Sequence, residues 1–222
     1  MIIEGKNGAA LCASIGSEKT TSFLGRFGPF DVLFTDPPWG SGTLRYFQKA
    51  AGASTQVTEK GLNLRITEIV RNHVRSHAFI LLGHKQGEKL AKLIEPHVHQ
   101  SIPVCVKYWL TDKMEAKRDM SSLKEATLVC VAKEGAKQFT PSFLEGFRTN
   151  LGYDRNRHAL RYVGGRSLFD CCAGFGKYLK VGLEFGYRVF GVELSSVRFE
   201  SLREKITGQE NPKADKSFEA RT

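Results

Sequence analysis

Short apolar runs rich in β-branched and aromatic residues alternate along this chain with longer segments of helical periodicity. Phe30-Asp31-Val32-Leu33-Phe34-Thr35, stopped by Pro37-Pro38, reads as a buried strand. Ala78–Leu82, Ser167–Cys172 and Arg188–Val192 read the same way. Leu62–Val74, with apolar residues at 62, 66, 69, 70 and 74, carries helical spacing, as do Gly87–Ile94, Lys177–Phe185 and Ser196–Ile206. Such alternation predicts an α/β fold, a three-layer sandwich around a largely parallel sheet. Ile102–Leu110 and Ala126–Ala132, separated by a charged linker, predict a hairpin added to it. Gly40–Gly61 is expected to be a long loop with a short helix near Leu44–Ala51. Phe139–Val163 is mixed, aromatic and basic. The expectation is one domain over residues 1–207, with loops 40–61 and 111–124 as candidate substrate-recognition elements. The polar tail, 208–222, is expected to be disordered.

Composition narrows the class. With 41% hydrophobic and 25% charged residues, disordered and fibrous architectures are excluded for most of the 222 residues. No run approaches the ~18 apolar residues of a membrane span. The N-terminus lacks a basic segment followed by an apolar one, so a cytoplasmic protein is expected. Five cysteines, two of them vicinal at Cys171-Cys172, form no CxxC pair, and most read as small buried hydrophobes. No His or Cys spacing points to a metal. The net charge of +10 is a statement about partners, fitting either solubility or a polyanion such as nucleic acid.

Ser167–Gly176 reads as a strand, a glycine turn (Ala173-Gly174-Phe175-Gly176) and the start of a helix. Glycines at a strand's carboxyl end let the backbone approach a ligand closely. The next strand ends in Gly191-Val192-Glu193, nineteen residues after Gly174, the offset at which a carboxylate meets ribose hydroxyls. Leu179 stands where a dinucleotide fingerprint needs its third glycine, and no GK[ST] loop is present. The ligand is therefore a nucleoside without a pyrophosphate, and S-adenosyl-L-methionine fits. Asp170, Cys171, Ala173, Gly174, Phe175, Gly176 and Glu193 are the candidate cofactor residues, with Asp36 beside them.

Asp36-Pro37-Pro38-Trp39 follows the first buried strand directly, at the edge where open α/β sheets place their chemistry. These residue types suit methylation of an exocyclic amine, whose lone pair is delocalised into its ring. The Asp36 carboxylate and the Pro37 carbonyl are two acceptors for the amine hydrogens, favouring a tetrahedral nitrogen. Pro37 and Pro38 stiffen the turn, and Trp39 offers a face for an extruded base, worth ~1–3 kcal/mol.

With these residues the chain resembles the amino-methyltransferases that modify N6 of adenine or N4 of cytosine. Asp36–Trp39 is similar to their catalytic box, Phe169–Gly176 to their AdoMet motif, and Gly191–Ser195 to their acidic cofactor strand. Lys124–Lys133 is similar to a paired strand of these proteins. The box precedes the AdoMet motif, an order similar to the permuted beta class of DNA adenine methyltransferases and to RNA adenine methyltransferases of the MTA type. The resemblance implies a Rossmann-like AdoMet-dependent methyltransferase fold with permuted motif order and adenine N6 in DNA as the target. It also implies a monomer or homodimer, of a size suiting a phage or bacterial modification enzyme. The same chemistry on RNA adenine or cytosine N4, or an inactive AdoMet- and nucleic-acid-binding partner subunit, are the alternatives. Departures are the absence of a Lys-Pro pair before the AdoMet strand, Cys171-Cys172 in place of Pro-Phe, and little room for a target-recognition region.

Three basic stretches are candidates for the nucleic acid. They hold Arg45 and Lys49; Lys113, Lys117 and Arg118; and Arg155, Arg157 and Arg161, the last interleaved with aromatics. Each one alone reads equally as a solvated basic face.

Overall fold

The structure, a computed structural model, describes residues 1–52, 57–109, 117 and 119–208. Its eight-stranded sheet is built from β1 (Ile2–Gly5), β2 (Gly8–Cys12), β3 (Phe30–Thr35), β4 (Val74–Leu82), β5 (Gln100–Tyr108), β6 (Lys124–Ala132), β7 (Ser167–Asp170) and β8 (Arg188–Glu193). The spatial order is β1-β2-β8-β7-β3-β4-β6-β5. The five strands from β2 to β4 run parallel, whereas β1 is antiparallel to β2, and β6 to β4 and β5. The expected hairpin is thus present, as β5 and β6 in register from Gln100↔Ala132 to Tyr108↔Lys124.

Helices cover both faces. One face carries α1 (Glu18–Phe27), α2 (Gly40–Ala50), α3 (Glu59–His73) and α4 (His84–Ile94), packed through Phe23, Leu44, Ile66 and Leu90. The other carries α5 (Pro141–Thr149), α6 (Gly152–Val163), α7 (Lys177–Glu184) and α8 (Ser196–Thr207), packed through Phe147, Leu160, Leu179 and Phe199. The period of two along β3 divides its side chains between these layers: Val32 and Phe34 face one, Leu33 the other. A register irregularity between Phe30 and Val32 puts Phe30 on the same side as Leu33. Each such fully buried Phe or Leu stabilises the fold by ~1.5–3 kcal/mol relative to exposure.

The three-layer α/β reading agrees with this architecture. Some local readings are corrected. The short helix expected near Leu44–Ala51 is present but starts a turn earlier, from Gly40 to Ala50, with Leu44 and Gln48 one turn apart and both buried. The mixed 139–163 stretch forms α5 and α6, joined by an aromatic column in which Phe143 stacks on Tyr162 at 3.7 Å and on Phe139 at 5.4 Å. The β1–β2 hairpin and α1 had no counterpart in the sequence reading. Cys105 is exposed on the outer strand β5, not buried. The tail from 209 onward lies outside the described residues. No helix among the described residues is long and apolar enough to cross a membrane.

Candidate active site

Parallel strands that end together create a common edge, and this edge collects the residues singled out in the sequence. β3 ends at Thr35 and hands over to Asp36; its neighbour β7 ends at Asp170 and hands over to the glycine turn; β8 ends at Glu193. Thr35 fastens two of them: its hydroxyl donates to Asp170 Oδ1 at 2.8 Å, in the buried interior. The Cys172 amide donates to the same oxygen at 3.1 Å, and the Cys171 thiol donates to Thr35 Oγ1 at 3.4 Å. Cys171 is therefore a buried link between strands, with its sulfur packed in the apolar layer. Burial pushes Asp170 up to about 7 despite the Thr35 and Cys172 bonds, and the Asp36 and Glu193 charges add to the rise.

The glycine turn and Glu193 form a closed unit. Gly174 N–H donates to Glu193 Oε2 at 2.7 Å, and Ser195 N–H donates to Oε1 at 2.8 Å. Each oxygen keeps a further lone pair for a ligand. Gly174 has φ +53°, and a Cβ there would meet nothing within 4 Å, so the space beside it is open. Gly176, φ +78°, is held for a different reason: a Cβ would lie 2.8 Å from Leu202 and Lys205 of α8. It also caps α7 with no side chain on the helix's first amides. Ala173 is buried, whereas Phe175 is exposed, with the Arg198 guanidinium 5.4 Å from its ring.

Asp36 opens to solvent, while Pro37 is buried and Pro38 half-buried. Trp39 Nε1–H donates to Asp36 Oδ1 at 2.7 Å and also reaches Leu81 O at 3.2 Å. Protein crowded around the carboxyl pushes its pKa up to about 6, which the Trp39 bond and the Lys177 charge only partly offset. Tyr108, at the end of β5, packs edge-on against Trp39 with ring centroids 4.5 Å apart. Burial and then the Asp36 charge push its phenol up to about 12, so it stays a neutral hydroxyl. Trp39, expected to offer a stacking face, is a half-buried indole whose N–H orients Asp36 and which meets Tyr108 edge-on. Thr35, Tyr108 and Lys177 were missed. Thr35 and Lys177 directly abut motifs that were recognised, and Tyr108 closes a strand that was recognised.

No family model matches the chain, and no curated protein matches it. Solved structures do. The M1.HpyAVI–SAM complex matches with a TM-score of 0.61 at 12% identity, over 89% of this chain and 98% of that one. TTHA0409 of Thermus thermophilus, assigned as a DNA modification methylase and complexed with S-adenosyl-L-methionine, matches at 0.58 and 13% identity, over 93% and 96%. The cytosine-N4-specific PvuII DNA methyltransferase matches at 0.59 and 8% identity, over 98% and 92%. The chain has the fold of these proteins.

The basic candidates separate on this fold. Arg45 and Lys49 are exposed on α2, which begins one residue after Trp39. Lys117 is exposed; Lys113 and Arg118 lie outside the described residues. Arg155 is corrected: it is 3% exposed, its guanidinium donating to Asn150 O and Lys107 O. A cation so enclosed is out of reach of a phosphate. Arg157 is paired with Glu184 at 2.9 Å and Asp154 at 3.2 Å, which cancels its charge locally. Arg161 sits over Phe185, past the far end of α7, so it lies toward the edge of the sheet opposite Asp36. Helical periodicity explains the miss: 155 and 159 fall on the buried stripe of α6.

Proposed function

We propose that this chain is an S-adenosyl-L-methionine-dependent amino-methyltransferase of the permuted beta type, acting on N6 of adenine in DNA. The observation that carries this reading is the Thr35–Asp170 bond, which sets the catalytic box beside the glycine turn although 135 residues separate them. Three features fit the cofactor. Glu193 is oriented by two amides with lone pairs to spare, the space beside Gly174 is open, and Asp36 and Glu193 bring negative charge to one edge. A sulfonium cation is favoured in such a field. Phosphate groups are not.

When bound, the cofactor supplies an electrophilic methyl group. The chain's own residues ready the nucleophile. Asp36 and the Pro37 carbonyl accept the two hydrogens of the exocyclic amine, drawing nitrogen away from planarity and aiming its lone pair. Trp39 fixes the accepting rotamer of Asp36. A carboxyl with a pKa of about 6 is ionised and accepting at neutral pH, and its open side gives the released proton a path to water. No covalent intermediate is needed; orientation provides the rate. Arg45 and Lys49 beside the box suit the phosphates of the strand from which the base is extruded.

Cytosine N4 is the second reading, favoured by the likeness to the cytosine-N4-specific PvuII fold. Purified chain, methyl-labelled cofactor and mixed DNA and RNA, followed by mass spectrometry of the nucleosides, separates the cases. N6-methyladenine in DNA is expected. N4-methylcytosine, or label in RNA only, shifts the substrate. Cofactor binding without transfer to any nucleic acid overturns the enzyme reading for a binding subunit.

A further inference from the structure

α2 packs on one face of the sheet, through Leu44, and α8 on the other, through Phe199 and Leu202. Helices on opposite faces can touch only beyond an edge of the sheet, and these two do. The Arg198 guanidinium, in the first turn of α8, lies 4.4 Å from the ring centre of Phe47 on α2. It lies 5.4 Å from the ring centre of Phe175 in the glycine turn. α8 follows β8, and α2 follows the box at the end of β3; in the sheet, β7 stands between those two strands. The bridge from Phe47 to Arg198 therefore crosses the carboxyl edge above the end of β7, where Phe175 joins it. Under it are the open space beside Gly174 and the spare lone pairs of Glu193.

The three parts differ in how firmly they are held. Arg198 is the post. Its amide donates to Ser195 Oγ at 3.4 Å, and the next residue, Phe199, is fully buried. Its guanidinium forms no ion pair among the described residues, so the two rings set where it lies. Phe175 is 43% exposed and is carried between Gly174 and Gly176, a backbone that lets the ring swing. Phe47 is half-buried, with the exposed Tyr46 edge-on at 5.4 Å. A cation–ring contact near the surface is worth a factor of roughly 2–5 in an equilibrium, so the pair holds the bridge shut by about ten to one.

We propose that Arg198 latches Phe47 to Phe175 over the cofactor groove, so that S-adenosyl-L-methionine enters and leaves when this bridge opens. The proposal rests on the reading of that groove as the cofactor seat. It also ties cofactor exchange to α2, the helix that carries Arg45 and Lys49. A latch that closes alike over the empty and the filled groove makes no differential contact with the ligand. It therefore slows entry and exit by one common factor and leaves the affinity unchanged.

The test needs no turnover. The full chain is captured on a sensor surface and exposed to S-adenosyl-L-methionine alone, and both rate constants are read. Arg198→Met keeps the stem and removes the cation; it should raise association and dissociation each about tenfold, with Kd unchanged within about twofold. Phe47→Leu removes one ring face and should raise both about threefold, whereas Phe47→Tyr keeps the face and should keep the wild-type rates. The two positions lie on different helices, so either variant carries the test where the other fails to fold. Unchanged rates in a folded Arg198→Met or Phe47→Leu chain overturn the proposal. So does a change confined to one of the two rates, which makes the residue a ligand contact rather than a latch. A wild-type chain that does not bind S-adenosyl-L-methionine overturns the cofactor reading itself.

Discussion

Asp31, at the start of β3, receives the Arg166 amide at 2.7 Å, the Ser167 amide at 3.0 Å and the Ser167 hydroxyl at 3.1 Å on one oxygen, and Arg75 at 3.4 Å on the other. Asp36, just past the other end of the same strand, receives one indole N–H and faces water. Burial alone would raise both. At Asp31 the four bonds outweigh it and hold the carboxyl below the ordinary range; at Asp36, although the residue is exposed, the protein packed around the carboxyl outweighs the one indole bond and the Lys177 charge and pushes it up to about 6. The donors at the amino edge knit β3 to β7 and leave nothing for a ligand. At the carboxyl edge they are withheld, so acceptor capacity is kept for a substrate.

The largest expected effect is on catalysis. Asp36→Asn should lower methyl transfer by at least ~100-fold, the scale of losing one oriented polar group at a transition state. Its thermal midpoint and cofactor affinity should barely move, as calorimetry would show. Asp31→Ala should do the reverse, costing about 2 kcal/mol in urea unfolding with the pH profile of transfer unchanged. Loss of transfer in Asp31→Ala to the same extent as in Asp36→Asn would break the contrast between the two edges.

Asp170 sharpens the contrast through stability. Its folded pKa of about 7 lies above that of the unfolded chain, so the native state binds the proton more tightly. Stability from this group is full below about pH 4 and is lost as pH rises toward and past 7. Asp170→Asn keeps an acceptor for Thr35 and Cys172 without the charge. It should raise the melting temperature by several degrees at pH 8 and leave it nearly unchanged at pH 4, against the opposite trend at Asp31, whose contribution is lost as pH falls through the acid range.

Smaller effects follow from the flanking charges. Transfer by the wild type should fall as pH drops through about 6, as Asp36 takes up a proton and ceases to accept. Lys177 lowers that value, so Lys177→Met should move the acid limb of the rate profile upward. An unmoved limb would separate Lys177 from the site. Smallest is the salt dependence of DNA binding: Arg45→Gln or Lys49→Gln should each reduce the slope by about one, and Arg161→Gln not at all.

The sequence was most readable where a local pattern and a global requirement coincide. Thr35-Asp36-Pro37-Pro38 marks a strand end by proline chemistry, and the nineteen-residue spacing from Gly174 to Glu193 follows from one helix and one strand. The structure closes that spacing with a 2.7 Å hydrogen bond. Gly40 and Gly42 hid only the first turn of α2, whose remainder was expected near Leu44–Ala51, because propensity is weak evidence beside the burial of Leu44 and Gln48. β1 and β2 are too short to show alternation; β2 owes its place to β8, from Gly8↔Val189 to Cys12↔Glu193, and β1 to β2. Arg155 could not be read as buried from its charge, since only the carbonyls of Asn150 and Lys107 make that burial tolerable.

The central claim is that one edge of this sheet brings an amine acceptor, Asp36, to a cofactor turn closed by Glu193. Nucleosides digested from the DNA of cells expressing the wild type and Asp36→Asn in parallel test it most directly. The account predicts N6-methyladenine above background with the wild type and none with the variant, at equal amounts of folded protein. Equal methylation by both would contradict it.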